Sequence, residues 1–289
     1  MRDGMGSAAE SLRDLIRAAG GGLLVGLPLL FTMEMWWHGF LLPAWKLGVL
    51  LAVAFVVVVG YTTLTGFRRD RSWTQLLVDT VQTFGIGAVI ALVALVALGR
   101  IDASTQLRDA IGQVSLETIP VAFGVSLAGA QLAAPEDGSE TGGSPAGDSA
   151  GVGTLGRLFV AAGAALLFAL NVAPTQELLV IAVEADWWLM LLAMAASVLA
   201  TLGIVFYADF RGGRGGRHAH GEWRSRPLEV PIGETLAAYA VSLLVAALLI
   251  WAFGWTSGMP LDINLRQVVV LGVVASIGAA AGRLLVGDR

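Results

Sequence analysis

Eight long apolar stretches, almost free of charge, leave this chain very few folds to choose from. Hydrocarbon offers no water to bond a backbone N–H or C=O, so a segment crossing it closes those bonds within itself as a helix of roughly 20 residues. The stretches fall at about 20–40, 45–66, 76–98, 117–134, 155–174, 187–206, 235–255 and 265–286. They predict an all-α, polytopic transmembrane helix bundle of about eight spans. Charged residues make up 14% of the 289, where a soluble domain carries about 25%. The fourth stretch is the weakest, with Glu117, Thr118 and Pro120 at one end and Gln131 near the other. Pro120 reads as a helix start, because proline is tolerated in a first turn, and a re-entrant helix is the alternative.

Arginine sets the expected orientation, since basic residues flanking spans are retained on the cytoplasmic side. With the N-terminus inside, only Lys46, Arg100, Arg108 and Arg266 of the 18 Lys and Arg fall outside. Trp36, Trp37, Trp45, Trp187, Trp188 and Trp255 then gather at the outer interface, where amphipathic rings prefer to lie. The expectation is a multi-pass protein of the bacterial cytoplasmic membrane with both termini cytoplasmic and no cleaved signal peptide. The net charge of −4 argues against nucleic acid as a partner, and the lack of cysteine removes disulfides, thiolate nucleophiles and zinc ribbons.

Self-similarity organises the chain further. At an offset of 143, Ala19-Gly20 meets Ala162-Gly163, Thr32-Met33-Glu34 meets Thr175-Gln176-Glu177, and Trp45 meets Trp188. At 155, Asp79-Thr80 meets Glu234-Thr235, Phe84 meets Tyr239, and Gly99 meets Gly254. The expected division is a tail at 1–19, a four-helix repeat at 20–133, an acidic linker at 134–153, and a second four-helix repeat at 154–289 with an arginine-rich inner loop at 211–226. An even number of spans per copy makes this a tandem 4+4 parallel repeat about a pseudo-two-fold axis along the membrane normal. The linker, rich in Gly, Ser, Pro and acid, cannot bury a core and reads as flexible.

A carboxylate inside a span costs about 2.5–3.5 kcal/mol on insertion scales, so it is a functional candidate by default. The duplicated acids supply two pairs: Glu34 with Glu177 near the outer ends of their helices, and Asp79 with Glu234 near the inner ends. About a pseudo-axis each pair could line a cation or proton path, with Thr32 and Thr175 as neutral oxygen ligands and a polar cavity between the halves. The plainer reading is that these acids reach headgroups, or sit in first turns where the helix macrodipole favours them. Thr32 and Glu34 point about 200° apart on a regular helix and share a face only if the helix breaks. Pro28 in one copy and Pro174 in the other offer that break, and freed carbonyls beside it would suit a cation.

The remaining signals are weaker. Residues 172–186 suggest an interfacial amphipathic helix with Glu184 and Asp186 solvated, and His38 reads as an interfacial residue. The spacing Gly22/Gly26 and Gly278/Gly282 allows close helix approach, within the chain or in a homo-oligomer. His218, His220 and Glu222 lack a fourth ligand, so no metal site and no cofactor is expected. No serine-nucleophile, HExxH or nucleotide-loop pattern occurs, which argues against an enzyme. The segments GLPLLFTMEMWW (26–37) and NVAPTQELL (171–179), with the helical blocks around them, resemble a family of bacterial integral membrane proteins known only as a domain of unknown function. That resemblance implies membrane placement and no activity. The leading functional expectation is a cation or proton-coupled transporter or channel; the alternative is a scaffold or sensor that binds a cytoplasmic partner through the arginine-rich loop or the linker.

Overall fold

Runs of Leu, Val, Ala and Ile with few β-breaking or charged residues give helices throughout, and the computed structural model describes residues 3–65, 72–132, 154–211 and 231–286. Among them are ten helices and no strand: α1 (Asp3–Leu30), α2 (Met33–Leu41), α3 (Ala44–Thr65), α4 (Trp73–Ala97), α5 (Leu107–Leu132), α6 (Thr154–Leu170), α7 (Glu177–Glu184), α8 (Trp187–Arg211), α9 (Pro231–Phe253) and α10 (Leu261–Val286). Six described helices (α3, α4, α5, α8, α9 and α10) are long and apolar enough to cross a membrane, and α1 with α2 would make a seventh as one bent span. α6, at 17 residues, is shorter; a rise of about 1.5 Å per residue still carries it roughly 25 Å.

Two expected spans take a different shape. The stretch at 20–40 is not one rod: α1 ends at Leu30 and α2 leaves at 85°. The fourth stretch does not begin at Glu117. α5 starts well before it, at Leu107, so Glu117 and Pro120 lie inside the helix. The part before Glu117 carries the polar residues Arg108, Asp109, Gln113 and Ser115, yet Gln113 and Leu116–Ser126 are buried. The polar face of α5 therefore points at protein rather than water. The linker from 133 to 153 and the arginine-rich loop from 212 onward, including His218, His220 and Glu222, lie outside the described residues.

Chain ends of the helices are sealed locally. Ser72 caps α4: its hydroxyl accepts from the Gln75 N–H and the Gln75 side chain accepts from the Ser72 N–H, a reciprocal box that satisfies two orphan donors. α4 and α9 both stop at a glycine in the left-handed region, Gly99 (φ 65°) and Gly254 (φ 87°). In each case the next N–H reaches back into the last helical turn, Arg100 to Leu95 O (2.8 Å) and Trp255 to Ile250 O (3.0 Å). Only glycine enters that conformation without Cβ strain.

Between lipid-embedded helices the hydrophobic effect gives little, and association rests on close van der Waals fit through small residues. α5 packs against α1, α2, α3 and α4; α10 packs against α6, α7, α8 and α9; and α3 meets α6 to join the two groups. A Cβ at Gly22 would meet Val121 and Val125 at 3.0 Å, and one at Gly278 would meet the Ala164 carbonyl oxygen at 2.7 Å. Both glycine pairs therefore serve packing within the chain. One apolar core crosses the join, with Ala54 and Val57 of α3, Phe123 of α5, Ala161 and Ala165 of α6 and Leu249 of α9.

Candidate functional site

The bend between α1 and α2 is where a broken helix and buried polar side chains come together. Pro28, near the end of α1, disfavours continuation of regular helical bonding. Thr32 takes an extended conformation (φ −90°, ψ 114°) as the first residue outside α2. The helix does break between Pro28 and Glu34, as sharing of a face by Thr32 and Glu34 would require. The expectation of freed carbonyls is not met. Leu27 O accepts from the Phe31 N–H (3.1 Å) and Leu29 O from the Thr32 N–H (2.8 Å). Pro28 O accepts from the Thr32 hydroxyl (2.7 Å) and Leu30 O from the Trp36 indole (2.8 Å).

The second break repeats this economy. The Thr175 hydroxyl donates to Val172 O (2.9 Å), the Asn171 amide to Leu167 O (2.8 Å), and the Trp255 indole to Ala173 O (2.8 Å). Both threonines thus direct their protons to backbone. Glu34 is half-buried in the first turn of α2 and Glu177 is exposed at the start of α7, positions where the positive helix end favours a carboxylate. No hydrogen bond or ion pair joins Glu34 to Glu177. Asp79 is half-buried on α4, its carbonyl accepting from the Thr83 hydroxyl (2.9 Å); the Glu234 side chain lies outside the described residues.

Among the described residues, the one acid that is fully buried is Glu117, which repetition does not mark. Glu117 is 0% exposed, and neither carboxylate oxygen has a hydrogen-bond partner. It sits midway along the span Leu107–Ala128. Residues four apart share a helix face, so Gln113, Glu117 and Val121 form one stripe. A Cβ on Gly39 of α2 would lie 2.6 Å from the Gln113 Cα, and one on Gly26 of α1 would lie 2.5 Å from Val121. Glu117 lies on α5 between these two contacts. Gln113 is buried too, and its Oε1 has no partner. The missed signal was the i, i+4 spacing of Gln113 and Glu117 within an otherwise apolar stripe.

A cavity of about 240 Å³ lies between the two groups of helices, and its wall is almost wholly apolar, with Leu29, Phe123, Val160 and Phe168 among the lining residues and Tyr61 and Asn171 as the polar ones. Glu34, Asp79 and Glu177 are not among the residues that line this cavity. The join is aromatic at one end. The His38 ring, whose Nδ1 lies 2.8 Å from Glu34 O, packs edge-on to Phe253 with centroids 4.9 Å apart. Lys46 donates to Trp251 O (2.7 Å) and lies over its ring. Glu184 and Asp186 are both exposed. No group of three or more metal-binding side chains occurs among the described residues.

Outside the spans, the Asp102 carboxylate organises the turn from α4 to α5. It accepts from the Ser104 hydroxyl (2.6 Å), the Ser104 N–H (2.8 Å) and the Thr105 hydroxyl (3.0 Å). These donors, Ser104 first, hold its pKa below the usual aspartate value. The turn keeps them above the unfolded-state pKa and loses them as pH falls through the lower folded one.

Residues 14–286 match the family described as Putative integral membrane protein (DUF2391). The chain belongs to this family. Membership covers both helical groups and makes the chain an integral, multi-pass membrane protein, consistent with its six described span-length helices. No curated protein matches the chain, and no solved structure does. The functional reading rests on the geometry around Glu117.

Proposed function

We propose that this protein carries a proton or cation across the bilayer and that Glu117 is the group that binds it. One observation carries the reading: a carboxyl 0% exposed, midway along a span, with no partner for either oxygen. A lone charge in such a place costs several kcal/mol, and side chains of this kind mark ion and proton pathways. The neighbouring broken helix is a device transporters use for sites at mid-membrane depth. Glu34, in the first turn past the bend, and Asp79 then serve as mouth residues, with Glu177 and Glu234 as their counterparts; Thr32 and Thr175 hold the breaks. Purified full-length chain in proteoliposomes is expected to pass protons or a monovalent cation down a gradient, and Glu117→Gln to reduce flux to that of empty vesicles. Glu34→Gln and Glu177→Gln are expected to lower it less. Native flux in Glu117→Gln would discard the assignment.

The same reading takes the ten helices as two copies of a four-crossing unit, in the bacterial cytoplasmic membrane with both termini inside and without catalytic activity. Matched contacts in the two copies support it. The Thr32 N–H bonds Leu29 O just as its repeat counterpart, the Thr175 N–H, bonds Val172 O. A Cβ on Gly124 of α5 would strike Gly21 O, and one on Gly278 of α10 would strike Ala164 O, so the fifth and tenth helices press on the opening helix of their own copies in the same way. Because the chain has no cysteine, single cysteines test the crossing number directly. Eight crossings place Ser104→Cys and Ser257→Cys on the same side and Ser72→Cys on the other. Labelling of the first two from opposite sides, as an odd number of crossings between them requires, would refute the parallel repeat.

A further inference from the structure

Resting on the reading of Glu117 as the ion-binding group, we infer that the ion is a proton, held as a carboxylic O–H that donates to Gln113 Oε1. The count of oxygen ligands decides between a proton and a metal cation. Metal cations stripped of water need their shell replaced by protein oxygens, six or more for the divalent ions and rings of carbonyls for potassium. The stripe supplies three: both Glu117 oxygens and Gln113 Oε1, all without partners. The carbonyls at the adjacent bend, Leu27 to Leu30, already accept from protein donors. The Thr118 hydroxyl donates away, to Val114 O (2.6 Å).

Three buried acceptors one helical turn apart, none with a donor, are what a single added proton reconciles. Side chains four apart on a helix have Cβ atoms about 5–6 Å apart, within reach of a Gln–carboxyl hydrogen bond. Protonation converts one Glu117 oxygen from acceptor to donor, and Gln113 Oε1 is the acceptor it meets. No basic side chain on the helices packed against α5, whether Arg13 and Arg17 of α1, His38 of α2, Lys46 of α3 or Arg157 of α6, bonds either oxygen. The second group of helices provides an internal contrast. Gln267 of α10, which stands 154 residues beyond Gln113 as Gly278 stands beyond Gly124, is also 0% exposed, but one turn on stands Leu271, and both amide atoms of Gln267 lack partners. Gln113 is accordingly a positioning residue for the proton. The step balances simply: Glu117 carboxylate takes one proton from one aqueous side and gives it up to the other.

Infrared spectroscopy of the full chain in lipid at pH 7 tests this. A carboxylic C=O stretching band is expected, absent in Glu117→Gln, retained in Glu117→Asp, and shifted to higher frequency in Gln113→Met, where the acceptor is gone. Exchange of choline for Na⁺ or K⁺ is expected to leave the band unchanged. Absence of any band lost on Glu117→Gln, or bleaching of the native band by Na⁺ or K⁺, overturns the inference. Flux separates it from the parent reading: lost flux in Glu117→Gln without the band means a carrier of another cation, whereas the band with native flux means a protonated carboxyl outside the path.

Discussion

Gly124→Leu is expected to lower the melting temperature of the purified chain on the order of 10 °C, with Gly278→Leu close behind, while Gly203→Leu changes it little. At Gly124 a Cβ would strike the Gly21 carbonyl oxygen and come within 2.9 Å of Gly22 Cα and Val25 Cβ. Backbone cannot rotate aside as a side-chain end can, so α1 and α5 must separate. At Gly278 a Cβ would lie 2.7 Å from both Ala164 O and Phe168 Cβ, forcing α6 from α10. Gly203 has nothing within 4 Å.

The size follows from what holds such helices together. Overpacking costs about 1–3 kcal/mol in ordinary cores, and here the displaced contact is the whole helix crossing, which lipid does not replace with any gain of its own. Against a total stability of about 5–15 kcal/mol, and with each kcal/mol worth about 2–4 °C in a chain of this size class, the shift is readily measured by thermal aggregation in detergent. Gly124→Leu melting together with Gly203→Leu would show that α1 and α5 do not cross at this point.

What the residues disclosed in advance, and what they withheld, divides along a physical line. Apolar runs reveal helices because every backbone bond must close locally, and α3, α4, α8 and α9 begin and end close to where those runs do. A break near Thr32 was legible only as an option that Pro28 offered, and the 85° bend goes beyond the single span expected at 20–40. α5 was misread because hydropathy cannot tell a polar face turned to water from one turned to protein; Gln113 and Glu117 look like a helix end and are 5% and 0% exposed. The destination of the bend's carbonyls was equally hidden, because Trp36 and Thr32 reach them only in three dimensions. The matched spacing drew attention to Glu34 and Glu177, whereas 154 residues beyond the buried Glu117 stands Leu271.

That difference yields the last expectation: replacing both members of the buried pair, Gln113→Met with Glu117→Leu, leaves the bundle at least as stable as the native chain and, on the proposed function, abolishes transport. Leu271 already occupies the matching place on α10, fully buried, so the architecture accommodates leucine there. Removing both partners of a buried polar pair is close to neutral or stabilising, while removing one leaves the other unsatisfied at about 1–3 kcal/mol. Glu117→Leu alone strands Gln113 Oε1, and Gln113→Met alone strands the carboxyl, so each single variant should melt below the double, with a coupling of about 0.5–3 kcal/mol. A scaffold built for rigidity gains nothing from a partnerless carboxyl at mid-membrane depth. A carrier requires it, since activity commonly rests on groups that the fold would be steadier without. Destabilisations that simply add, with the double variant melting lowest, would make the pair a structural element, and a double variant that still transports would place the path elsewhere in the bundle.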